Sequence, residues 1–173
     1  MNLHTLPLAN FSSCRRWRYT LSRIFQLDLI SRGENANQFV QFIGLNPSTA
    51  DETTDDNTLI LCQGYARRWG FGGMVMTNLF AWRDTDPRKM KLAADPIGQH
   101  NDSHLWDVAQ HAGLIVCCWG AHGVHLKRAD AVHGLLTMNY PVRRKLHHLG
   151  LTSEGFPRHP LYMKKDLQPI PWS

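Results

Sequence analysis

The chain has 173 residues, a length that fits one domain. Hydrophobic residues make up 43% and aromatic residues 10%, which is enough to fill a core and excludes a natively disordered chain. The net charge of +5 suggests a polyanionic partner such as nucleic acid, although many basic proteins bind nothing acidic.

Cysteine usage and the N-terminal segment indicate the compartment. None of the cysteines belongs to a C-x-x-C pair, and Cys117 and Cys118 are adjacent in an apolar run. This pattern favours buried thiols in a reducing compartment over a disulfide framework. The N-terminus lacks the apolar region of a signal peptide, and no apolar run approaches the ~18 residues that span a bilayer. We therefore expect a cytoplasmic monomer with no membrane partner.

Hydrophobic periodicity divides the chain into alternating strands and helices. We expect a lead-in over residues 1–16 and a single α/β/α domain over residues 17–173. Segment 17–30 alternates polar and apolar residues, with Tyr19, Leu21 and Ile24 facing inward, which predicts a strand at a sheet edge. Apolar runs predict strands over 38–45, 73–80, 114–120 and 144–151, and helical spacing predicts helices over 58–70, 97–113 (with Gly113 as its C-cap) and 124–138.

This alternation predicts a three-layer α/β/α sandwich with a mostly parallel central sheet. Ligands of such sheets bind beyond the carboxyl ends of the strands. The residues that follow each strand should therefore converge, namely 46–48, 78–83, 119–122 and the loop that carries His159.

The first of these segments is GLNPS. Gly44 allows close backbone approach, and Pro47 holds Leu45 and Asn46 extended. The Asn46 amide, with one acceptor and two donors, therefore has a defined direction at a strand end. The alternative is an Asx turn that only ends the strand.

The second segment is TNLFAWRDTDP. Asn78 lies at a buried strand end, where an unpaired amide is costly. Phe80 and Trp82 offer flat faces for a stacked base, and Arg83 can bind a phosphate. The alternative is an aromatic core pair, with Arg83 bound to a neighbouring aspartate.

The third segment is CCWGAHG, in which Gly120 and Gly123 flank the start of a helix whose free N–H groups favour an anion. An ordinary strand-to-helix turn explains the same pattern.

The fourth segment, GFPRHPLYMKK, combines a histidine, an apolar wedge and cations. A protein that enters a duplex and holds an extruded base needs these groups. The alternative is a C-terminal strap packed on the core. The residues concerned are Arg158, His159, Leu161, Tyr162, Lys164 and Lys165.

Metal and nucleotide motifs are absent from the sequence. Three close histidine pairs lack a third ligand at a standard spacing, and there is no H-E-x-x-H, G-x-S-x-G or P-loop. We expect neither a metal nor another cofactor.

The chain resembles a widespread bacterial and phage domain-of-unknown-function family over residues 17–163. Five segments carry the resemblance in the same order: RYTLSRIF, GLNPSTADE, TNLFAWRDTDP, CCWGAHG and LGLTSEGFPRHPLYM. The chain is also similar to the uracil-DNA glycosylase superfamily. The shared order is a G-x-N-P motif after the first core strand, an Asn-bearing strand end, a buried strand closing in glycine, and a late His-Pro loop.

The second resemblance implies roles for individual residues. Asn46 would position the attacking water, Asn78 would read the base edge, and His159 would support the leaving base. Leu161 and Tyr162 would form the wedge. Other expected substrate contacts are Gly44, Leu45, Pro47, Ser48, Phe80, Trp82 and Trp119, and other expected DNA contacts are Arg83, Arg158, Lys164 and Lys165.

Departures from the superfamily pattern bear on the substrate. The classical uracil enzymes have an aspartate at the position of Asn46 and a tyrosine at that of Ser48, where the tyrosine blocks C5-substituted pyrimidines. Ser48 is small, so the resemblance implies a modified or mismatched pyrimidine, such as hydroxymethylcytosine or its glucosylated form in phage DNA, whose excision would be antiviral. The late motif reads His-Pro-Leu, and the stacking aromatic is left open among Phe80, Trp82 and Trp119.

Two other functions fit the same sequence. One is a non-catalytic nucleic-acid-binding protein that uses the same basic fold. The other is a hydrolase or transferase of free nucleosides or nucleotides, which would not need the wedge or the Lys164-Lys165 pair.

Overall fold

The computed structural model describes residues 3–25 and 35–172. Within this part of the chain, seven strands form one sheet in the order β1-β2-β4-β3-β5-β6-β7. The strands are β1 (Ala9–Phe11), β2 (Arg18–Ile24), β3 (Phe39–Gly44), β4 (Gly73–Asn78), β5 (Leu114–Cys117), β6 (Leu146–His148) and β7 (Ile170–Pro171).

Five α-helices occur in the same described ranges. They are α1 (Asn57–Arg68), α2 (Pro87–Leu92), α3 (Asn101–His111), α4 (Arg128–Thr137) and α5 (Tyr140–Arg143). Asp56 begins α1 as its N-cap and accepts a hydrogen bond from the Leu59 N–H. Short 3-10 turns span Leu3–Thr5, Ala121–Lys127 and Pro160–Tyr162.

The sheet is mixed. The four central strands, in the order β4-β3-β5-β6, are parallel, whereas β1, β2 and β7 pair antiparallel. Parallel neighbours need long crossover connections, which here contain the helices, whereas β1 and β2 follow each other directly. The prediction of a mostly parallel central sheet is therefore confirmed in part: the centre of the sheet is parallel and its flanks are antiparallel.

Helices cover both faces of the sheet, as the alternation along β3 shows. Phe39 and Ile43 pack in the cluster that holds residues of α3 and α4. Val40 and Phe42 pack in the other cluster, with residues of α1. Burial on both faces explains why these strands read as nearly continuous apolar runs.

The N-terminal edge differs from the prediction. β2 is an interior strand, because β1, from the predicted lead-in, pairs with its outer side. Tyr19 and Leu21 are buried as expected, whereas Ile24 is 42% exposed. Residues 26–30 of the predicted strand lie outside the described residues.

Other element boundaries also shift. α3 ends at His111 with Ala112 as its cap, and Gly113 serves packing, since a Cβ there would lie 2.0 Å from Gln38 Oε1. The predicted helix over 124–138 starts only at Arg128, after the 3-10 turn. α2 and β7, which pairs with β6, have no counterpart among the predicted elements.

Among the described residues, no helix is both long and apolar enough to cross a membrane. The cysteines are unpaired, and all except the exposed Cys14 are buried.

Candidate functional site

A cleft of about 660 Å³ opens at the carboxyl ends of β3, β4 and β5. The strand-end residues Gly44, Asn78 and Trp119 line it, together with the start of α1 and the 152–162 loop. Its volume is in the range of small-molecule and cofactor pockets. Most of the predicted site residues line this cleft: Gly44, Leu45, Asn46, Ser48, Asn78, Trp119, Arg158, His159, Leu161 and Tyr162.

Two predicted stacking aromatics lie elsewhere. Phe80 is fully buried in the core, where its ring contacts His125, so it cannot stack on a base. Trp82 packs edge-on against Trp17, with 5.4 Å between the ring centroids. Both residues follow the end of β4, where side chains no longer alternate between the two faces of the sheet. The directions of these two side chains therefore could not be predicted from the strand pattern.

Pro47 and the two lysines also lie outside the cleft lining. Pro47 is buried and acts through the backbone. Lys164 and Lys165 are exposed, and their carbonyl oxygens accept hydrogen bonds from Tyr65 and Arg68 of α1. The predicted C-terminal strap is therefore present at these lysines.

Asn46 is held by its amide nitrogen. Nδ2 donates to the carbonyl oxygens of Pro47 at 3.0 Å and Asp84 at 2.7 Å. Both donors of the amide are thereby used, and Oδ1 has no hydrogen-bond partner among the described residues. Position 46 therefore presents a fixed acceptor at the cleft.

Asn78 is only 3% exposed, and its Nδ2 has no hydrogen-bond partner among the described residues. A Cβ at Gly44 would lie 2.8 Å from the Asn78 Oδ1, so the glycine makes room for this side chain. An unpaired buried amide is costly, which favours a ligand that accepts its hydrogen bond.

His159 lines the cleft with a defined tautomer. Its Nδ1 accepts a hydrogen bond from the Leu161 N–H at 3.4 Å, which leaves the proton of the neutral ring on Nε2. Burial lowers the pKa of His159, and the nearby Asp56 carboxylate opposes this shift. At neutral pH the ring is therefore an uncharged donor.

The His159 loop is fixed to the end of β5. The Gly120 N–H donates to the Pro157 carbonyl at 2.8 Å, and a Cβ at Gly120 would lie 4.0 Å from that of His159. Gly120 has a φ of 71°, which favours glycine. The predicted glycine-bearing turn thus supports the histidine loop.

Trp119 forms a wall of the cleft. The side chain is almost fully buried, packs on Trp172 and lies against Gly123. Its Nε1 has no hydrogen-bond partner among the described residues.

Sequence reasoning missed Arg18, which lines the cleft and is 3% exposed. One guanidinium nitrogen, Nη1, donates to the Ala50 carbonyl at 2.7 Å, and Nε is unpaired. No carboxylate of the described residues forms an ion pair with it, and burial lowers its pKa to about 10. Arg18 had been assigned only to an edge strand.

The acids after the first motif include turn and cap residues. Asp51 accepts from the backbone N–H groups of Thr53 and Thr54. Asp56 caps α1, but it also lines the cleft.

Exposed apolar residues lie on the His159 loop, which lines the cleft, and on the turn after β5. Tyr162 is 80% and Leu161 48% exposed on the His159 loop. On the turn that continues from the lining residues Ala121 and His122, Leu126 is also exposed and has a positive φ of 54°. Such a conformation is strained for leucine.

A shallow groove of about 500 Å³ lies beside the cleft and shares Ser48, Asp84 and Thr85 with it. Arg15, Arg16 and Arg83 line the groove, and Arg15 and Arg83 both pack over the Phe11 ring. Arg15 is also paired with Glu52 at 2.8 Å. The predicted DNA contact Arg83 therefore lies in a basic groove next to the cleft, and none of the ion pairs of the described residues uses it.

No group of three or more histidine, cysteine or acidic side chains in the described ranges is arranged to hold a metal ion.

The comparisons with known proteins identify a family. No curated protein and no solved structure matches the chain. A family model described as "Protein of unknown function (DUF1643)" matches residues 18–161, which include β2, the cleft and Leu161. The chain therefore belongs to the DUF1643 family.

Proposed function

We propose that this chain is a monofunctional DNA glycosylase, acting as a monomer, that cleaves the N-glycosidic bond of a modified or mismatched pyrimidine. The supporting observation is that Asn46, Asn78 and His159 converge in one cleft at the carboxyl ends of parallel strands. Their order along the chain and their placement agree with the similarity to the uracil-DNA glycosylase superfamily, and a fold relationship to that superfamily is part of the proposal.

The reaction is a hydrolysis. The bond between C1′ and the base nitrogen breaks, and its electron pair leaves with the base. The oxygen of a water molecule bonds to C1′, and the proton that the water loses ends on the released base. The products are the free base and an abasic site.

Asn46 orients the attacking water. Both of its N–H groups are bound to carbonyl oxygens, so its Oδ1 is the atom that can accept a hydrogen bond from water. An amide cannot deprotonate water effectively. The enzyme therefore relies on an oxocarbenium-like sugar, which forms as the bond to the base breaks and which water attacks afterwards.

His159 stabilises the leaving base. Its neutral ring carries the proton on Nε2, which can donate to a carbonyl oxygen of the base as negative charge develops there. Preorganised donors of this kind contribute about 3–4 kcal/mol each.

Ser48 leaves room for pyrimidines that carry a C5 group. It lines the cleft with a small side chain, where a tyrosine would fill the space. Thymine in a mismatch, hydroxymethylcytosine and glucosylated hydroxymethylcytosine belong to this class. Excision of the last from phage DNA is an antiviral activity.

The surfaces around the cleft suit a DNA substrate. The arginine groove that adjoins Ser48 can follow the phosphodiester backbone, and Leu161 and Tyr162 can fill the space that an extruded base leaves. Neither surface is needed for a free nucleoside.

A panel of DNA duplexes, each with one modified or mismatched pyrimidine, tests the proposal through alkali-labile abasic sites. Free nucleosides of the same bases form the parallel arm. We expect base release from DNA alone, and about a hundredfold or greater loss in Asn46→Ala with DNA binding retained. Asn139→Ala, which removes a helix-cap asparagine outside the cleft, is the control and should keep activity. Equal base release by wild type and Asn46→Ala would rule out the assigned role.

Ser48→Tyr tests the open pocket. The variant should lose C5-substituted bases while it keeps uracil, and Ser153→Tyr on an exposed turn should change neither. An unchanged preference in Ser48→Tyr contradicts the pocket argument.

A further inference from the structure

Arg18 is buried, and no carboxylate of the described residues forms an ion pair with it. Its guanidinium donates a hydrogen bond to the Ala50 carbonyl, which uses only Nη1. Nε is buried and unpaired, and none of the ion pairs within the described ranges involves this side chain. Asp56 is the acid with the largest influence on it, but no hydrogen bond joins the two. A buried guanidinium in this state is stabilised strongly by an anionic ligand.

A local irregularity of the sheet places Arg18 in the cleft. Asn10 pairs with Thr20 and Phe11 with Arg18, so Tyr19 is an extra residue of the kind that a β-bulge inserts. Residues three apart in a regular strand face opposite sides, yet Leu21 and the Ala50 contact of Arg18 belong to the same cluster. The register shift therefore turns the guanidinium toward the α1 side, where the cleft lies.

Arg18 is one of three cleft-lining residues, with Asn78 and Trp119, whose buried donor nitrogen has no hydrogen-bond partner among the described residues. Asn78, at the end of the adjacent strand β4, adds an unpaired Nδ2, and both residues are 3% exposed. Two donors at a buried position match the acceptor edge of a pyrimidine. A backbone phosphate stays near the protein surface, where the exposed Arg158 and the arginine groove lie.

We propose that Arg18 and Asn78 form a donor pocket that binds the pyrimidine leaving base in its anionic form. This inference rests on the proposed glycosylase function, in which the base departs with the electron pair of the broken bond. Arg18 is then a catalytic residue that takes up the negative charge, while His159 donates from the loop side. The positive charge of Arg18 stabilises the anionic leaving base, so that a base that leaves poorly can be released without prior protonation.

Equilibrium binding of free bases tests the pocket without any cleavage. The probes are 5-nitrouracil, which is ionised at neutral pH, and 5-ethyluracil, which has a similar size and is neutral. Calorimetric titration of the wild-type chain should give a preference for the ionised base of about tenfold or more, as a charge-assisted pairing requires. Inorganic phosphate should not displace it.

Three variants assign the preference to one side chain. Arg18→Met should lose it, Arg18→Lys should keep a reduced preference, and Arg23→Met should keep it fully. Arg23 is the matched control because it lies on the same strand and pairs with Asp55 outside the cleft. Thermal unfolding of each variant reports whether it is folded.

Several results would overturn the pocket. They are equal or undetectable binding of the two bases by the wild type, a preference that survives in Arg18→Met, or displacement of 5-nitrouracil by phosphate. The wild-type measurements suffice for this even if Arg18→Met does not fold. A preference for the ionised base without base release from any DNA would refute the glycosylase function alone, and base release without the preference would refute the pocket alone.

Discussion

Substitution of Asn46 by aspartate is the most informative change, because it keeps the size of the side chain and inverts its hydrogen bonding. The Asn46 Nδ2 donates at 3.0 Å to the Pro47 carbonyl and at 2.7 Å to the Asp84 carbonyl. A carboxylate oxygen at the same place would face two carbonyl oxygens and could donate to neither.

The magnitude follows from these two hydrogen bonds. Asn46→Ala loses both, at about 1 kcal/mol each, so about 2 kcal/mol of unfolding free energy is lost. Pro47 keeps the Asp84 N–H as a donor to its carbonyl, which limits the cost. Asn46→Asp adds the repulsion and should lose about 3 kcal/mol or more at neutral pH. For a chain of this size these losses lower Tm by about 2–4 °C per kcal/mol.

The pH dependence separates repulsion from a simple loss of contacts. The carbonyl oxygens raise the pKa of the introduced carboxyl in the folded state above its unfolded value of about 3.9. Relative to the wild type, the stability of Asn46→Asp is therefore highest at acid pH, where the carboxyl donates one hydrogen bond, and this contribution is lost as pH rises through the raised pKa. Thermal unfolding of the Asp and Ala variants across pH measures this. If Asn46→Asp matches the wild type at neutral pH, the assigned orientation of the amide is wrong.

Three further predictions concern residues around the cleft. Gly44→Ala should lower the unfolding free energy by about 1–3 kcal/mol, because the added methyl displaces the Asn78 side chain. Gly134→Ala, in α4 where a Cβ meets no other atom, should raise it by about 0.5–1 kcal/mol. Equal denaturant midpoints of the two variants would contradict the contact between position 44 and Asn78. Asp56→Asn keeps the helix cap but removes the carboxylate that raises the pKa of His159, so NMR titration should show a further lowered pKa, and an unchanged one counts against this coupling. Burial lowers the pKa of four histidines, namely His104, His133, His148 and His159. The unfolding free energy should therefore be constant at pH values above the ordinary histidine pKa of about 6.5 and should fall as the pH drops from about 6.5 toward the lowered pKa values. A flat profile in that pH window would refute this.

Several parts of the fold could be predicted because local patterns encode them. The apolar runs of β3, β4 and β5 gave the central strands within a few residues. The carboxyl ends of parallel strands meet at one edge, so the meeting of Asn46, Asn78 and Trp119 follows from the strand assignments and one topological rule.

Other parts depend on pairings between distant segments. β2 is an interior strand because β1 pairs with it, whereas the sequence pattern predicted an edge strand. No local pattern in residues 9–11 predicts this pairing. Phe80 and Trp82 follow the end of β4, so their directions are set by the elements that pack against them.

For this protein, the sequence by itself determined the composition of the core, the central strands and the cluster of polar residues at their ends. Only the tertiary structure decided which of these residues share the cleft, and it added Arg18. The physical reason is that the apolar pattern that predicts a buried strand is contained in a few neighbouring residues. Whether a buried guanidinium has a counter-charge depends on every element packed around it. The direction of the Arg18 side chain toward the cleft accompanies a one-residue register shift between β1 and β2.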